Sequence, residues 1–206
     1  MRRHWLARNG GQQLTLVFGG WGLGAVPFAG LIGAGDVLVV DDYRALDDPL
    51  REVSQYDGIR LLAYSFGVAA AAHWLSAHTL RLQRLVAVNG TLCPADETHG
   101  IAPETIAATA HGLSAASFAR FCCRVGHAGP IPRIDVAAAQ AELRAIAQRG
   151  GAPQTEFDRI WISQHDRIIP TRAQQAAWQA QSCAVRRLRA AHQPFAAGQN
   201  WQDWFA

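Results

Sequence analysis

The chain contains no lysine: all 19 of its basic residues are arginine. That absence excludes a Schiff-base lysine, a Ser–Lys dyad and the lysine of a phosphate-binding P-loop. Cysteine occurs only at 93, 122, 123 and 183, and no two form C-x-x-C. The adjacent pair is a poor metal scaffold, so the four thiols are expected to be reduced, buried and inert, in a cytoplasmic setting. No two histidines have ligand spacing, and neither a metal nor a cofactor is expected. Long apolar runs are missing as well. Arg2 and Arg3 are followed by Gln12, Gln13 and the glycines at 19, 20, 22 and 24, which leaves no room for a signal peptide or a membrane span. A net charge of +3 is too small to point to nucleic acid.

What is present suits an ordinary globular protein. The 206 residues are 50% hydrophobic and 17% charged, which fits one domain over 1–206. Apolar runs recur at Leu14–Phe18, Val37–Val40, Ile59–Ala63, Leu85–Val88, Ile160–Ile162 and Val185–Leu188. Several are continuous rather than alternating, as in strands buried on both faces. Helical stretches between them, the clearest at 66–78, predict a mostly parallel α/β sheet of about six strands flanked by helices. The rhythm breaks once. About seventy residues separate the fourth run from the fifth, and 93–157 is expected to form a small helical cap. Within it Phe118, Phe121, Cys122 and Val125 mark one helix face, and Val136, Ala139, Leu143 and Ile146 mark another. Asp135 and Gly150 stand where that second helix would begin and end.

The chemistry begins at Ser65. Ile59-Arg-Leu-Leu-Ala-Tyr-Ser-Phe-Gly-Val runs from a strand through a serine into a helix, the order of the nucleophile elbow of α/β-hydrolases, with Ala63 and Gly67 as the small flanking residues. A serine hydroxyl needs a base, and the base an orienting carboxylate, in the chain order Ser, Asp, His for this fold. Asp166 follows the fifth run and His192 the sixth, each at a strand's carboxyl end. Phe18-Gly-Gly-Trp-Gly-Leu-Gly follows the first run, so the backbone N–H groups of Trp21 and Phe66 are the expected oxyanion donors. The other histidines have no such context: His4 lies near a loose end, and His165 is expected to point away. Gly20-x-Gly22-x-x-Ala25, with Asp42 about twenty residues on, also matches a dinucleotide fingerprint, but Pro27 would interrupt the helix it requires.

Leu16-Val-Phe-Gly-Gly-Trp-Gly-Leu, Asp42-Tyr-Arg, Ala63-Tyr-Ser-Phe-Gly-Val, Val88-Asn-Gly-Thr-Leu-Cys-Pro and Ala191-His-Gln-Pro-Phe together resemble the BioG-type pimeloyl-acyl-carrier-protein methyl ester esterases of biotin synthesis. The Gly-Trp-Gly-Leu loop and the His-x-Pro-Phe segment also resemble the sister BioH type. The resemblance implies a serine carboxylesterase in which Ser65 attacks the methyl ester of a pimeloyl chain carried on phosphopantetheine, Asp166 orients and His192 is the base. The alternative is a generic short-acyl carboxylesterase or thioesterase of the same fold. The implied partner is an acyl-carrier protein, with no nucleic acid and no membrane. A carrier protein is acidic, and no acid occurs between Thr105 and Ile134, whereas Arg120, Arg124 and Arg133 do. Arg120 and Arg124 share one helix face, which is expected to lie opposite the Phe118/Phe121/Cys122 stripe.

Overall fold

A strand buried on both faces leaves no surface for polar residues, which is why short continuous apolar runs mark the centre of this sheet. The computed structural model describes residues 1–206. Its seven strands are β1 (Arg2–Ala7), β2 (Gln13–Phe18), β3 (Asp36–Asp41), β4 (Gly58–Tyr64), β5 (Arg84–Val88), β6 (Arg159–Ser163) and β7 (Ala184–Leu188). They form one sheet in the order β1-β3-β2-β4-β5-β6-β7. All neighbours are parallel except β1, which runs antiparallel to β3. The six expected runs are β2 to β7.

β1 is the strand that sequence reading leaves out. It lies on an edge, and most of its side chains are only partly covered, so its composition carries no apolar signature. His4 is therefore not at a loose end: it sits in β1, 3.2 Å from Asp41, which also receives Arg2.

Helix α1 (Gly67–Ala77) joins β4 to β5. Three helices lie between β5 and β6: α2 (Pro103–His111), α3 (Ala115–Val125) and α4 (Val136–Arg149). The last two carry the two expected faces. Asp135 caps α4 by accepting from the Ala138 N–H, and Gly150 ends it at φ +73°. α2 is short and rich in alanine and threonine, so it shows no apolar stripe in the sequence. α5 (Thr171–Ala177) and α6 (Trp201–Phe205) complete the chain. The first two crossovers, β2 to β3 and β3 to β4, hold only short 3-10 turns where alternating α-helices were expected.

The larger core lies on the sheet face covered by α1 and by α2 to α4. The smaller core, on the other face, gathers Phe28, Tyr64, Phe195, Trp201, Trp204 and Phe205. Burial of Trp201, Trp204 and Phe205 there makes α6 a core element. Of the cysteines only Cys122 is buried, and Cys123 is exposed, so the expectation of four buried thiols is corrected: a helical step of about 100° per residue turns Cys123 away from the buried stripe of Phe118, Cys122 and Val125.

β2 is the topological switch point. The chain leaves it for β3 on one side and returns to β4 on the other, so the loops after β2 and β4 diverge and open a crevice at their carboxyl ends. α3 and α4 reach over that edge. The Trp21 indole donates to the Ala139 carbonyl of α4 at 3.1 Å, and its ring meets Phe118 and Phe121 of α3 edge-on.

Candidate active site

Ser65 is the first residue past β4, and its φ is +57°, a left-handed conformation that a side chain adopts only when its surroundings hold it there. Three contacts do so. The Ser65 N–H donates to the Val88 carbonyl of β5 at 2.9 Å. Gly67 lies so close to β2 that a Cβ there would meet the Phe18 carbonyl oxygen at 2.2 Å. A Cβ on Gly90 would meet the Ser65 carbonyl oxygen at the same 2.2 Å. With Ala63 in place of a glycine the turn is still formed, and α1 starts two residues after the serine.

His192 and Asp166 arrive from the loops after β7 and β6. Ser65 Oγ stands 2.9 Å from His192 Nε2, and His192 Nδ1 stands 2.7 Å from Asp166 Oδ2. The carboxylate accepts at Nδ1, which assigns the proton to that nitrogen and leaves Nε2 free to accept the Ser65 hydroxyl proton. The Asp166 side chain is wholly buried and the His192 side chain nearly so. Asp166 Oδ1 also accepts from the Ile168 and Ile169 N–H groups at 2.8 and 3.0 Å, and Gln174 Nε2 donates to Oδ2 at 2.8 Å. The structure thus brings Ser65, Asp166 and His192 into one hydrogen-bonded line. His165, one residue before the acid, is exposed.

The loop after β2 abuts the serine: a Cβ on Gly20 would stand 3.2 Å from Ser65 Cβ. The backbone N–H groups of Trp21 and Phe66 donate to no protein acceptor. After that loop comes only the 3-10 turn Val26–Phe28, not the α-helix on which a dinucleotide phosphate would rest. No group of three or more His, Cys, Asp or Glu side chains is placed to hold a metal ion.

Ser65 opens into a cavity of about 120 Å³ whose walls include Trp21, Phe66, Ile101, Ile106, Phe121, Leu143 and Ile168. Arg124 and Arg167 also line it. Through Trp21, Thr105, Thr109, Phe121 and Arg124 it continues into an open trough of about 670 Å³ between α2 and α3, where Arg120 and Glu104 lie. Arg120 and Arg124 therefore do not stand opposite the whole apolar stripe. Phe121 lies beside them on the trough, because one α-helical step of three residues leaves it only part of a turn from Arg124. Arg133 lies apart, in a small hollow with Arg2, Asp42, Asp135 and Glu142.

Sequence reading missed three polar residues of this region. Arg167 follows the acid directly. Gln174, wholly buried in α5, holds Asp166. Glu142, on α4, accepts from the Tyr43 N–H at 3.0 Å, and burial raises its carboxyl to about 7. None belongs to a local motif; each becomes visible when its distant neighbour is in place.

Comparison with known proteins assigns the family. A family model described as pimeloyl-ACP methyl esterase BioG matches residues 1–204. The chain belongs to the BioG family. It is 32% identical over 195 residues to a malonyl-[acyl-carrier protein] O-methyltransferase of Bacteroides fragilis, covering 88% of this chain but only 39% of that protein. It is 31% identical over 204 residues to an uncharacterized protein of Haemophilus influenzae, covering 93% of each. Among solved structures it superimposes on BioG from Haemophilus influenzae with a TM-score of 0.87, at 27% identity and over 100% of both chains. An esterase from Exiguobacterium antarcticum gives a TM-score of 0.69 at 14% identity, over 92% of this chain and 87% of that one, a likeness of fold alone. The fold is that of the α/β-hydrolases.

Proposed function

We propose that this BioG-family chain is a serine carboxylesterase that hydrolyses the methyl ester of pimeloyl-acyl-carrier protein, giving the free acid and methanol in biotin synthesis. The observation that carries the reading is the unbroken line from Ser65 Oγ through His192 to Asp166, on a serine held in the left-handed region. In this reading Ser65 Oγ attacks the ester carbonyl carbon while His192 Nε2 takes its proton. The Trp21 and Phe66 N–H groups stabilise the oxyanion, being free of other acceptors. His192 then protonates the departing methoxide, an acyl-serine remains, and water activated by His192 releases the carboxylate and restores Ser65.

Substrate and partner are argued from chemistry and kinship. The family description names a pimeloyl-ACP methyl esterase. The Bacteroides fragilis protein, named for O-methylation of a carrier-bound malonyl group, contains a region similar to this chain in 39% of its length. An activity that removes such a methyl group complements one that installs it. The apolar walls suit an acyl chain, and α2, α3 and α4 act as a cap over it. Arg120 and Arg124 on the trough offer charge to an acidic carrier; Arg133, off the trough, has a weaker claim.

S65A tests the mechanism. Turnover of p-nitrophenyl butyrate is expected to fall at least about 10³-fold, and a fluorophosphonate label on the parent protein is expected to map to the Ser65 peptide. An S65A protein with full turnover removes the serine mechanism. A parent protein that cleaves small esters yet leaves methyl pimeloyl-carrier protein intact removes the substrate and favours the generic acyl hydrolase.

A further inference from the structure

β5 ends as β4 does, in a left-handed residue that is not glycine: Asn89, at φ +47° and wholly buried. The turn itself does not require an amide there, since glycine adopts this conformation without strain. The amide is instead fully used. Asn89 Nδ2 donates to the His192 carbonyl at 2.7 Å and to Ser163 Oγ at 2.8 Å, and Asn89 Oδ1 accepts from the Ser163 N–H at 2.7 Å. Its neighbours face the other way: Val88 O receives the Ser65 N–H, and Gly90 packs against the Ser65 carbonyl. Three consecutive residues thus touch the serine on one side and the histidine on the other.

We infer that Asn89 is a positioning residue that ties the His192 backbone to the serine elbow and so sets the separation of Ser65 Oγ and His192 Nε2. The inference rests on the reading of His192 as the base. Asp166 grips the imidazole and fixes its rotation, but not where the backbone of the loop lies. That loop follows the last strand and has little regular structure; Asn89 secures it to the sheet, and Gln193 N–H secures it to Val125 of α3 at 2.9 Å. A shift of about 1 Å between reacting groups costs on the order of 10²-fold in rate, so a backbone tether is enough to matter.

The test compares N89A, N89D and S163A in the full chain, with p-nitrophenyl butyrate and a thermal melt for each. N89A is expected to lose about 10- to 100-fold in kcat with KM within about twofold, because positioning and not binding is lost. S163A removes the hydroxyl between β5 and β6 but leaves the His192 tether, and is expected to stay within about threefold of the parent. N89D is expected to gain a falling limb at higher pH that the parent lacks: its neutral carboxyl can donate to the His192 carbonyl, whereas its ionised form cannot. An N89A protein with parental kcat overturns the inference, as does an S163A loss that matches it. Should N89A fail to fold, the N89D profile decides alone, and a profile parallel to the parent's overturns it. S65A keeps the two readings apart: turnover by S65A removes the serine mechanism and with it the separation that the tether would set, whereas an inactive S65A beside a full-rate N89A removes only the tether.

Discussion

The carboxyl edge of the sheet and the helices α2 to α4 above it are held by different means. At the edge, directed bonds run from residue to residue: Ser65 to His192, His192 to Asp166, Asp166 to two backbone N–H groups and Gln174, and Asn89 to Ser163 at the end of β6 and to the His192 carbonyl. The helices above rest mainly on apolar contacts of Phe118, Cys122, Val125, Leu143 and Ile146, with a few bonds such as Trp21 to Ala139, and Arg120 and Arg124 extend from them into the trough with no ion-pair partner. Directional bonds define positions to fractions of an ångström, whereas apolar packing defines a surface and leaves exposed charges free to meet a partner. In the function proposed above, the first region supplies geometry and the second receives the carrier.

The contrast can be broken at the elbow. G67A places a methyl group 2.2 Å from the Phe18 carbonyl, a fixed backbone atom, so the strand–turn–helix junction must move. A loss of about 3 kcal/mol or more in unfolding free energy is expected, together with ester turnover; a thermal melt like the parent's would show the edge to be more pliant than its bonds imply.

A second test lies where the two regions meet. Glu142 reaches down from α4 to the Tyr43 N–H, while Arg149 of the same helix donates to the Tyr43 carbonyl at 2.6 Å. Burial is the main cause of the rise of the Glu142 carboxyl to about 7; Asp42 and Asp41 add to it, and the Tyr43 N–H and Arg2 oppose it, while Arg133 and Asp135 line the same hollow. The folded value lies above the ordinary 4.5, so the folded state holds a proton that the unfolded chain releases. The resulting stabilisation is full below about pH 4.5 and is lost as pH rises through about 7. E142Q keeps an acceptor without the titration. Its stability relative to the parent should therefore rise between pH 5 and pH 8, by up to about 3 kcal/mol, and chemical denaturation at both pH values measures it. A difference independent of pH would mean that the Glu142 carboxyl titrates alike in the folded and the unfolded chain.

The smallest effect belongs to the arginine surface proposed to receive the carrier. Reversing Arg120 and Arg124 to glutamate should slow the carrier-bound ester about tenfold, with p-nitrophenyl butyrate turnover within about twofold. Parallel rates on both substrates, followed over a range of salt, check it. Equal losses on both would place these arginines in the fold and not in docking.

Legibility follows the same division. Ser65, Asp166 and His192 could be picked out because each lies just beyond a continuous apolar run, where a parallel sheet must present its loops on one edge. The two longer helices above the edge were legible from their period, and the cap of α4 from Asp135. β1 was not, because an edge strand bonded through its backbone needs no apolar code, and α2 was not, because alanine and threonine mark no face. Asn89 gave no sign of its contacts, which are with residues 74 and 103 positions further along the chain. The helical period puts Arg124 on the right helix but does not show that it shares a cavity wall with Phe121.

By itself the sequence determined the strand–serine–helix order, the chain order of hydroxyl, carboxylate and imidazole, and a net basic helical segment, since these depend on local pattern and on the parallel-sheet rule. The tertiary structure decided which polar groups meet. A 2.7 Å bond between an amide and a carbonyl far along the chain exists only once two strands and a loop have packed, and no period or composition in the intervening residues records it.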